Sequence, residues 1–359
     1  MQEKLHPYQV TIVVYMIQIG ITIITLPRIS AETFGTNGWI GVIIVSLLVV
    51  VNILAIGLVF FYSNGKSIFK ILDEGLPQFL LRPFYLFLAL LWSTLGVLIA
   101  KDFELQLNLF FYPTRTAYIY VLMSLFFTYW LVRRGIYHIA KASVVFFAVI
   151  LMTLLLGFLL PEFRFTRLTP FVFKGDKELF KGGIQVVSAF LGYELTLLFI
   201  PYMLKPKTAV KSVLLGHAIV TFVYVSTCFV AFGLFSYRQL LNDKFPILTM
   251  LEYLEFPFIE RVEGFVFHFF ILEVIITVIF FYWGADQVLR QAIPKISPRK
   301  SILSLIIVSF CISLFVNGSL EVDKWLLGLG FAEAIIAVLL PTLLLLTLGI
   351  SHLRQKQNI

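Results

Sequence analysis

Two short runs of the chain combine helix-breaking residues with polar side chains, at matching places in an otherwise apolar sequence. Residues 20–27 begin with Gly20 and end with Pro27, and residues 192–201 begin with Gly192 and contain Glu194. A glycine and a nearby proline weaken a helix at both ends of a short segment. Backbone groups freed in this way persist in a membrane only where protein or a water-filled cavity satisfies them. The runs therefore predict a ligand site built from interrupted helices, with two ordinary proline kinks as the alternative.

A small zwitterionic or polar ligand would need hydrogen-bond donors for a carboxylate and acceptors for an ammonium group. Unwound backbone at 19–23 and 190–194 would expose both kinds of group, and the N-terminal ends of the half-helices would favour an anion. The missing side chains of Gly20 and Gly192 would let a ligand approach the backbone, although close helix packing explains a glycine equally well. The predicted ligand-binding residues in these segments are Gly20, Ile21, Thr22, Phe190, Leu191 and Gly192.

Acidic residues inside apolar spans are the next candidates, because a carboxylate within the membrane is costly and faces the protein interior or a cavity. Glu194 has three possible roles, namely accepting a ligand ammonium group, carrying a proton, or capping loose backbone N–H groups. Glu273 and Thr277 lie four residues apart on one helix face. They form either a second polar wall of the pocket or a contact with another helix. Asp286 and Glu333 lie nearer to span ends, which indicates a structural role.

The composition requires a membrane environment for these elements. The chain of 359 residues is 60% hydrophobic and 13% charged, with 38 Phe, 15 Tyr and 5 Trp. A soluble domain is about half apolar and a quarter charged and could not bury this much apolar surface. Cys228 and Cys311 both lie in apolar spans and are interpreted as packing residues. The N-terminus lacks a signal-peptide pattern, so we expect the first span to remain in the mature protein.

Counting stretches of about 20 apolar residues predicts an all-α integral membrane protein with ten transmembrane helices. Residues 1–359 would form one membrane domain without a separate soluble domain. Five spans in each half place the halves in opposite orientation, which is an inverted repeat of residues 8–160 and 183–350, with discontinuous first and sixth helices. The predicted spans are 8–29, 38–62, 82–108, 116–133, 142–160, 183–203, 210–235, 262–288, 301–318 and 325–350.

The charges of the loops predict the orientation of the chain. The N-terminus and every second loop after it carry 16 of the 28 basic residues and three acids, whereas the opposite side carries 12 basic residues and 13 acids. The positive-inside rule then places both termini in the cytoplasm. The net charge of +8 reflects this bias, so the basic runs indicate topology and lipid contact rather than nucleic-acid binding.

Five short motifs follow one another along the chain in a specific order. They are Ile23-Ile24-Thr25-Leu26-Pro27-Arg28, Asn37-Gly38-Trp39-Ile40, Arg167-Leu168-Thr169-Pro170, Phe190-Leu191-Gly192-Tyr193-Glu194 and Glu260-Arg261-Val262-Glu263. In order and spacing the chain resembles endospore germination permeases, the membrane B subunits of spore germinant receptors. That family lies within the amino acid–polyamine–organocation superfamily, and the resemblance covers essentially the whole chain.

The resemblance implies a LeuT-like permease fold of ten helices in a five-plus-five inverted repeat, located in the spore inner membrane. It implies an A-type membrane subunit and a C-type lipoprotein subunit as partners, and a small nutrient, commonly an amino acid or sugar, as ligand. It adds Ser93, Val97, Thr277 and Phe281 to the expected pocket. Thr22 and Ser93 depart from the residues frequent in the family, so the ligand does not transfer with the resemblance.

The sequence is compatible with three classes of function. A nutrient-sensing receptor permease is the first, and a proton- or sodium-coupled amino acid transporter is the second. The fifth span, 142–160, contains no lysine, although some transporting relatives use one there in place of a coupling cation, which favours sensing. A membrane enzyme is the third and least supported class, because the sequence contains no H-E-x-x-H or G-x-S-x-G motif. No cofactor is expected, and the five scattered histidines suggest no metal site.

Overall fold

The computed structural model describes residues 4–113, 118–171, 173–175, 179–254, 256–257 and 259–357. These residues form helices and two isolated β-bridges. Four 3₁₀ segments longer than one turn join or extend the α-helices, at Ile21–Ile24, Phe147–Glu162, Phe165–Leu168 and Tyr193–Tyr202. The α-helices are α1 (Pro7–Gln18), α2 (Leu26–Phe34), α3 (Gly38–Tyr62), α4 (Ile68–Gly75), α5 (Gln78–Phe110), α6 (Ile119–Val132), α7 (Ile136–Phe146), α8 (Leu179–Ala189), α9 (Ala209–Leu234), α10 (Tyr237–Asn242), α11 (Pro246–Glu252), α12 (Val262–Ala292), α13 (Pro298–Phe315) and α14 (Ser319–Gln357).

The first predicted span is interrupted at the predicted place. Helix α1 ends at Gln18, Ile19 and Gly20 are extended, and a 3₁₀ segment of 4 residues leads into α2, where Pro27 lies in the first turn. Proline fits the first turn of a helix because no N–H is needed there. The extended pair therefore leaves the α1 carbonyl groups without their usual helical partners.

The sixth predicted span is interrupted as well. Helix α8 ends at Ala189, Gly192 adopts a left-handed backbone with φ of 106°, and a 3₁₀ segment continues to Tyr202. A positive φ of this size is readily available only to glycine. Both interruptions predicted from the sequence are thus present, and each lies next to its glycine.

Seven helices of the described residues are long and apolar enough to cross a membrane. The first span falls outside this count because of its interruption, and three apolar helices are shorter, at Ile119–Val132, Ile136–Phe146 and Thr153–Glu162. The multi-span helical fold is confirmed, whereas the count of ten spans and the inverted repeat stay predictions. The first two residues of the predicted fourth span, 116 and 117, lie outside the described residues.

The outer surface of the helical bundle is apolar. Phe126, Phe222 and Phe315 are 65%, 70% and 83% exposed, which in water would be a large unfavourable area. Helix α3 shows the arrangement clearly, because Val45, Val49 and Ile53 face the protein while Leu48 and Val51 face outward. Exposed apolar side chains of this kind are favourable in contact with lipid, so the chain is a multi-pass membrane protein.

The two interrupted spans meet at one side of the bundle. Leu5, just before α1, pairs in parallel with Met203, which follows the 3₁₀ segment of the sixth span. The Leu5 N–H donates to the Tyr202 carbonyl at 2.8 Å, and the Leu204 N–H donates to the Leu5 carbonyl at 3.1 Å. These bonds join the start of the first span to the end of the sixth.

Candidate functional site

A cavity of about 950 Å³ lies between the interrupted spans, α5, α12 and α14. Its deep end is lined by Gln18, Gly20, Leu191, Thr277 and Glu333. Its mouth is lined by charged residues at the helix ends opposite to the Leu5–Met203 pairing, among them Arg28, Glu32, Lys181, Asp323 and Lys324. The cavity is large enough for a small ligand, and the charged part of its described lining lies at one end of the bundle.

Six of the twelve residues predicted to bind ligand line this cavity, and they come from three different spans. They are Gly20, Ile21, Thr22, Leu191, Thr277 and Phe281. Helix α5 contributes Leu95 and Ile99 to the wall, rather than the predicted Ser93 and Val97. The Ser93 hydroxyl donates to the Ala89 carbonyl of its own helix at 2.7 Å, and Val97 is fully buried.

The two glycines occupy different environments. A Cβ atom built on Gly20 would meet nothing closer than the Gln18 carbonyl oxygen at 4.0 Å, and Gly20 has an ordinary extended backbone. A Cβ on Gly192 would overlap the Ile17 side chain, and its φ is positive. Gly20 is therefore open to the cavity, whereas Gly192 allows the two interrupted spans to pack closely.

Tyr224 of α9 satisfies backbone groups of both interruptions. Its hydroxyl accepts from the Gly20 N–H at 3.4 Å and lies 2.9 Å from the Gln18 carbonyl oxygen and 3.0 Å from that of Ala189. The ring also packs against Phe190. One buried hydroxyl group thus connects the end of α1 to the end of α8.

Gln18 and Thr277 contact further carbonyl groups of the interrupted segments. The Gln18 amide donates to the Phe190 carbonyl at 2.5 Å and lies 3.2 Å from the His217 ring nitrogen Nδ1. The Thr277 hydroxyl lies within hydrogen-bonding distance of the Met16, Ile19 and Glu273 carbonyl oxygens. Polar side chains on neighbouring helices thereby replace the missing helical hydrogen bonds, as a membrane interior demands.

Glu194 is buried beneath the cavity rather than in its wall. The Gly192 N–H donates to both of its carboxyl oxygens, at 2.8 and 2.9 Å. This geometry matches the backbone-capping role considered from the sequence. Glu333 of α14, which does line the cavity, accepts the indole N–H of Trp92 on both oxygens, at 2.8 and 2.9 Å.

Glu273 faces a second, smaller cavity of about 70 Å³. Its carboxyl group accepts the Tyr15 hydroxyl at 3.2 Å, and the other walls include Ile23, Thr227 and Phe270. Thr277, one turn further along α12, faces the large cavity instead. The two residues predicted to share one pocket wall therefore belong to different cavities.

Three functional candidates were missed by reasoning from the sequence, namely Gln18, Trp92 and Tyr224, whereas Glu333 was noticed and interpreted as structural. Of the three, Gln18 has a local signal, because it is a polar side chain directly before the predicted interruption. The others act through partners more than a hundred residues away, except for the Ala189 contact of Tyr224. Among the described residues, no group of three or more His, Cys, Asp or Glu side chains could hold a metal ion.

Interrupted helices around a cavity within a helical membrane bundle define the class of transporter-fold proteins. The solved structure of Mhp1, a nucleobase-cation-symport-1 family transporter in a closed conformation with bromovinylhydantoin bound, is similar with a TM-score of 0.65. It covers 95% of this chain and 78% of Mhp1 at 12% sequence identity, so the likeness concerns the fold alone.

The chain belongs to the spore germination protein family, whose profile matches residues 4–322. Spore germination protein GerQB of Bacillus cereus is 25% identical over 99% of this chain and 98% of its own length. Spore germination protein B2 of Bacillus subtilis (strain 168) is 26% identical over 74% of this chain and 73% of its own. Both relatives thus confirm the family resemblance seen in the motifs.

Proposed function

We propose that this chain is the membrane subunit of a nutrient germinant receptor, which binds a small nutrient and thereby triggers spore germination. Membership of the spore germination protein family supports the process. The observation that carries the binding function is the cavity of about 950 Å³ whose deep end is formed by both interrupted spans. A ligand seated there contacts elements from both halves of the chain, so its binding can change their relative position.

The ligand class follows from the groups at the deep end of the cavity. Gln18 and Thr22 offer neutral polar groups, Glu333 offers a carboxyl group, and Ile21 and Phe281 supply apolar contact. A small molecule with one cationic or hydrogen-bonding end and an apolar body matches this set, which favours an amino acid or a similar nutrient. The twelve predicted ligand-binding residues remain proposals, and the six that line the cavity are the ones to test first.

The cellular setting is part of the proposal. The excess of basic residues on one side supports a cytoplasmic location for both termini. Family membership supports the spore inner membrane, with an A-type membrane subunit and a C-type lipoprotein subunit as partners. In this orientation the cavity mouth faces away from the cytoplasm, where a nutrient from the surroundings arrives.

A conventional coupled transporter is the second candidate function. It is favoured by the likeness in fold to Mhp1, which is described as a nucleobase-cation-symport-1 family transporter. The two functions differ in whether the ligand crosses the membrane. Uptake into proteoliposomes, measured for each ligand that binds, separates them, because a receptor binds its nutrient without accumulating it in the vesicle.

Ligand binding is best tested by thermal unfolding of the purified full chain against the twenty common amino acids and a panel of monosaccharides. A ligand at 100 times its Kd stabilises the folded state by about 2.7 kcal/mol. Thr22→Phe places a phenyl ring in the part of the cavity next to Gly20 and should reduce the shift strongly. Thr342→Phe is the matched control, because Thr342 is exposed on the surface of α14. A ligand that stabilises the Thr22→Phe protein as well as wild type would contradict the proposed site.

A further inference from the structure

The Gln18 side chain lies between the cavity and a buried histidine of α9. It lines the deep end of the cavity and is 2% exposed, and His217 is 1% exposed. The Gln18 amide nitrogen Nε2 lies 2.5 Å from the Phe190 carbonyl oxygen and 3.2 Å from the His217 ring nitrogen Nδ1. Since a carbonyl oxygen only accepts, the amide group presents its nitrogen, not its oxygen, to Phe190. The partners of Gln18 thus fix the direction of its amide group.

The other ring nitrogen of His217, Nε2, carries the ring hydrogen. It lies 3.2 Å from the Ser46 carbonyl oxygen, which cannot donate, and 2.9 Å from the Ser46 hydroxyl oxygen. The Ser46 hydroxyl donates in turn to Thr221 at 2.6 Å, and the Thr221 hydroxyl donates to the His217 carbonyl at 2.9 Å. Every donor faces an acceptor in this arrangement, whereas a hydrogen on Nδ1 would leave Nε2 and the Ser46 carbonyl facing each other as two acceptors. Nδ1 is therefore a bare acceptor, which receives a Gln18 N–H.

A charged form of His217 would have no counter-ion. The ring is buried, and no ion pair found in the described part of the chain includes it. A buried charge without a partner is costly. His217 is therefore neutral, with a single ring hydrogen on Nε2.

The Gln18 amide oxygen Oε1 is left without a donor. Both amide hydrogens are used, one by the Phe190 carbonyl and one by His217. Oε1 lies 3.3 Å from Nδ1, which has no hydrogen to give, and no other partner of Oε1 is found among the described residues. An unpaired buried acceptor is unfavourable, so an N–H or O–H group of a ligand in the cavity is stabilised at this oxygen.

The backbone carbonyl groups near Gln18 already have side-chain partners. The Tyr224 hydroxyl lies 2.9 Å from the Gln18 carbonyl oxygen and 3.0 Å from that of Ala189. The Thr277 hydroxyl lies 3.4 Å from the Ile19 carbonyl oxygen. The interrupted backbone therefore has fewer free acceptors for a ligand, and the Gln18 side chain supplies one.

We propose that His217 is a positioning residue, which turns the Gln18 amide so that its oxygen Oε1 accepts an N–H of the nutrient's amino group. His217 acts through Gln18 and is not part of the described cavity lining. The inference rests on the proposed function and narrows the ligand class. It favours nutrients with an amino group, because a charged ammonium group is a stronger donor than a hydroxyl group.

Nitrogen NMR of the purified full-length protein with ¹⁵N-labelled histidine tests the positioning step without any ligand. A ring nitrogen that carries hydrogen gives a signal distinct from that of a bare one, and His217→Phe identifies the His217 signals by their loss. We expect a hydrogen on Nε2 and none on Nδ1. His268→Phe is the control, because His268 bonds to Tyr112 and Gly264 outside both cavities and should leave the His217 signals unchanged. A hydrogen on Nδ1 of His217 would overturn the proposal, whichever nutrient binds.

Pairs of ligands test the contact with the nutrient. Each amino acid that stabilises wild type in thermal unfolding is compared with the acid in which hydrogen replaces the amino group, beginning with L-alanine and propionate, L-valine and isovalerate, and L-phenylalanine and hydrocinnamate. Wild type should prefer the amino acid by about tenfold to a hundredfold. Gln18→Met should remove most of this preference and His217→Phe should reduce it, and a ratio measured on one variant does not depend on that variant's own stability.

The outcomes separate this inference from the proposed function. An unchanged preference in Gln18→Met would overturn the inference and assign the amino group to another acceptor, such as Glu333. Stabilisation of wild type by monosaccharides alone would also overturn it, while leaving the proposed function intact. Stabilisation by no amino acid and no monosaccharide would contradict the proposed function and the amino-group contact together, even with the hydrogen on Nε2.

Discussion

At the residue scale, the polar atoms released by the two helix interruptions are bound by side chains of other helices. Tyr224 binds groups from both interruptions, Thr277 binds carbonyls of α1, and Gln18 binds the Phe190 carbonyl. A buried polar group left without a partner costs about 1–3 kcal/mol. The shape of the site therefore depends on a few hydroxyl and amide groups.

Tyr224→Phe should destabilise the protein by about 1–3 kcal/mol, because the Gly20 N–H and two carbonyl groups lose their partner. It should also weaken nutrient binding, since the interrupted segments are no longer connected. Tyr282→Phe is the matched control, because the Tyr282 hydroxyl contacts Ser309, which also donates to the Leu305 carbonyl. Equal effects of both variants on nutrient binding in a thermal-shift titration would argue against a special role for Tyr224.

The two glycines should respond differently to the same small substitution. Gly20→Ala should leave stability nearly unchanged, because a Cβ has free space there, and should reduce ligand affinity by placing a methyl group in the cavity. Gly192→Ala should cost about 1–3 kcal/mol, because its backbone is left-handed, with the overlap on Ile17 adding to this. Unfolding midpoints and binding curves for both variants check the contrast, and an equal loss of stability would show that Gly20 is also a packing residue.

At the element scale, the sequence predicted where the helices break but, apart from a backbone cap considered for Glu194, not what satisfies the broken ends. Glycine and proline act through their own backbone, so Gly20 and Gly192 carry the signal locally. Tyr224 contacts Gln18 across more than two hundred residues, and nothing local in the sequence marks that pairing. The same reason explains Glu273, because nothing local in the sequence indicates that it faces a second cavity while Thr277 faces the large one.

The pairing of Leu5 with Met203 offers a test of movement between the interrupted spans. We expect a disulfide in the Leu5→Cys, Met203→Cys double variant, with Cys311→Ser introduced because Cys311 is exposed. Paired strands lie about 5 Å apart, which a disulfide spans. The oxidised protein should still bind nutrient, because the cavity opens on the other side, and should lose the germination response until reductant is added.

The Leu5→Cys single variant controls for oxidation elsewhere in the chain. A full response from the cross-linked protein would show that this side of the bundle stays closed during signalling.

At the scale of the whole molecule, an apolar exterior and an uneven distribution of charge both support the proposed arrangement in the membrane. The exposed Phe126, Phe222 and Phe315 require lipid around the bundle. The membrane environment could be predicted from the amino-acid composition, because every outward-facing residue contacts lipid. The orientation was predicted separately, from the charges of the loops. The inverted repeat stays a prediction, since it rests on span positions rather than on similarity between the halves.

The orientation can be tested by the reaction of single cysteines with a small membrane-impermeant thiol reagent on intact cells. Positions 66, 134, 207 and 299 lie on the basic side and should react only after permeabilisation. Asn242, exposed at the end of α10, should react from outside. Thr22 lines the cavity and should also react from outside, more slowly than Asn242, because the reagent must pass the mouth. A bound nutrient should protect Thr22 and leave Asn242 unchanged. Labelling at 207 together with protection at 242 would reverse the orientation, and with it the side from which a nutrient reaches the cavity.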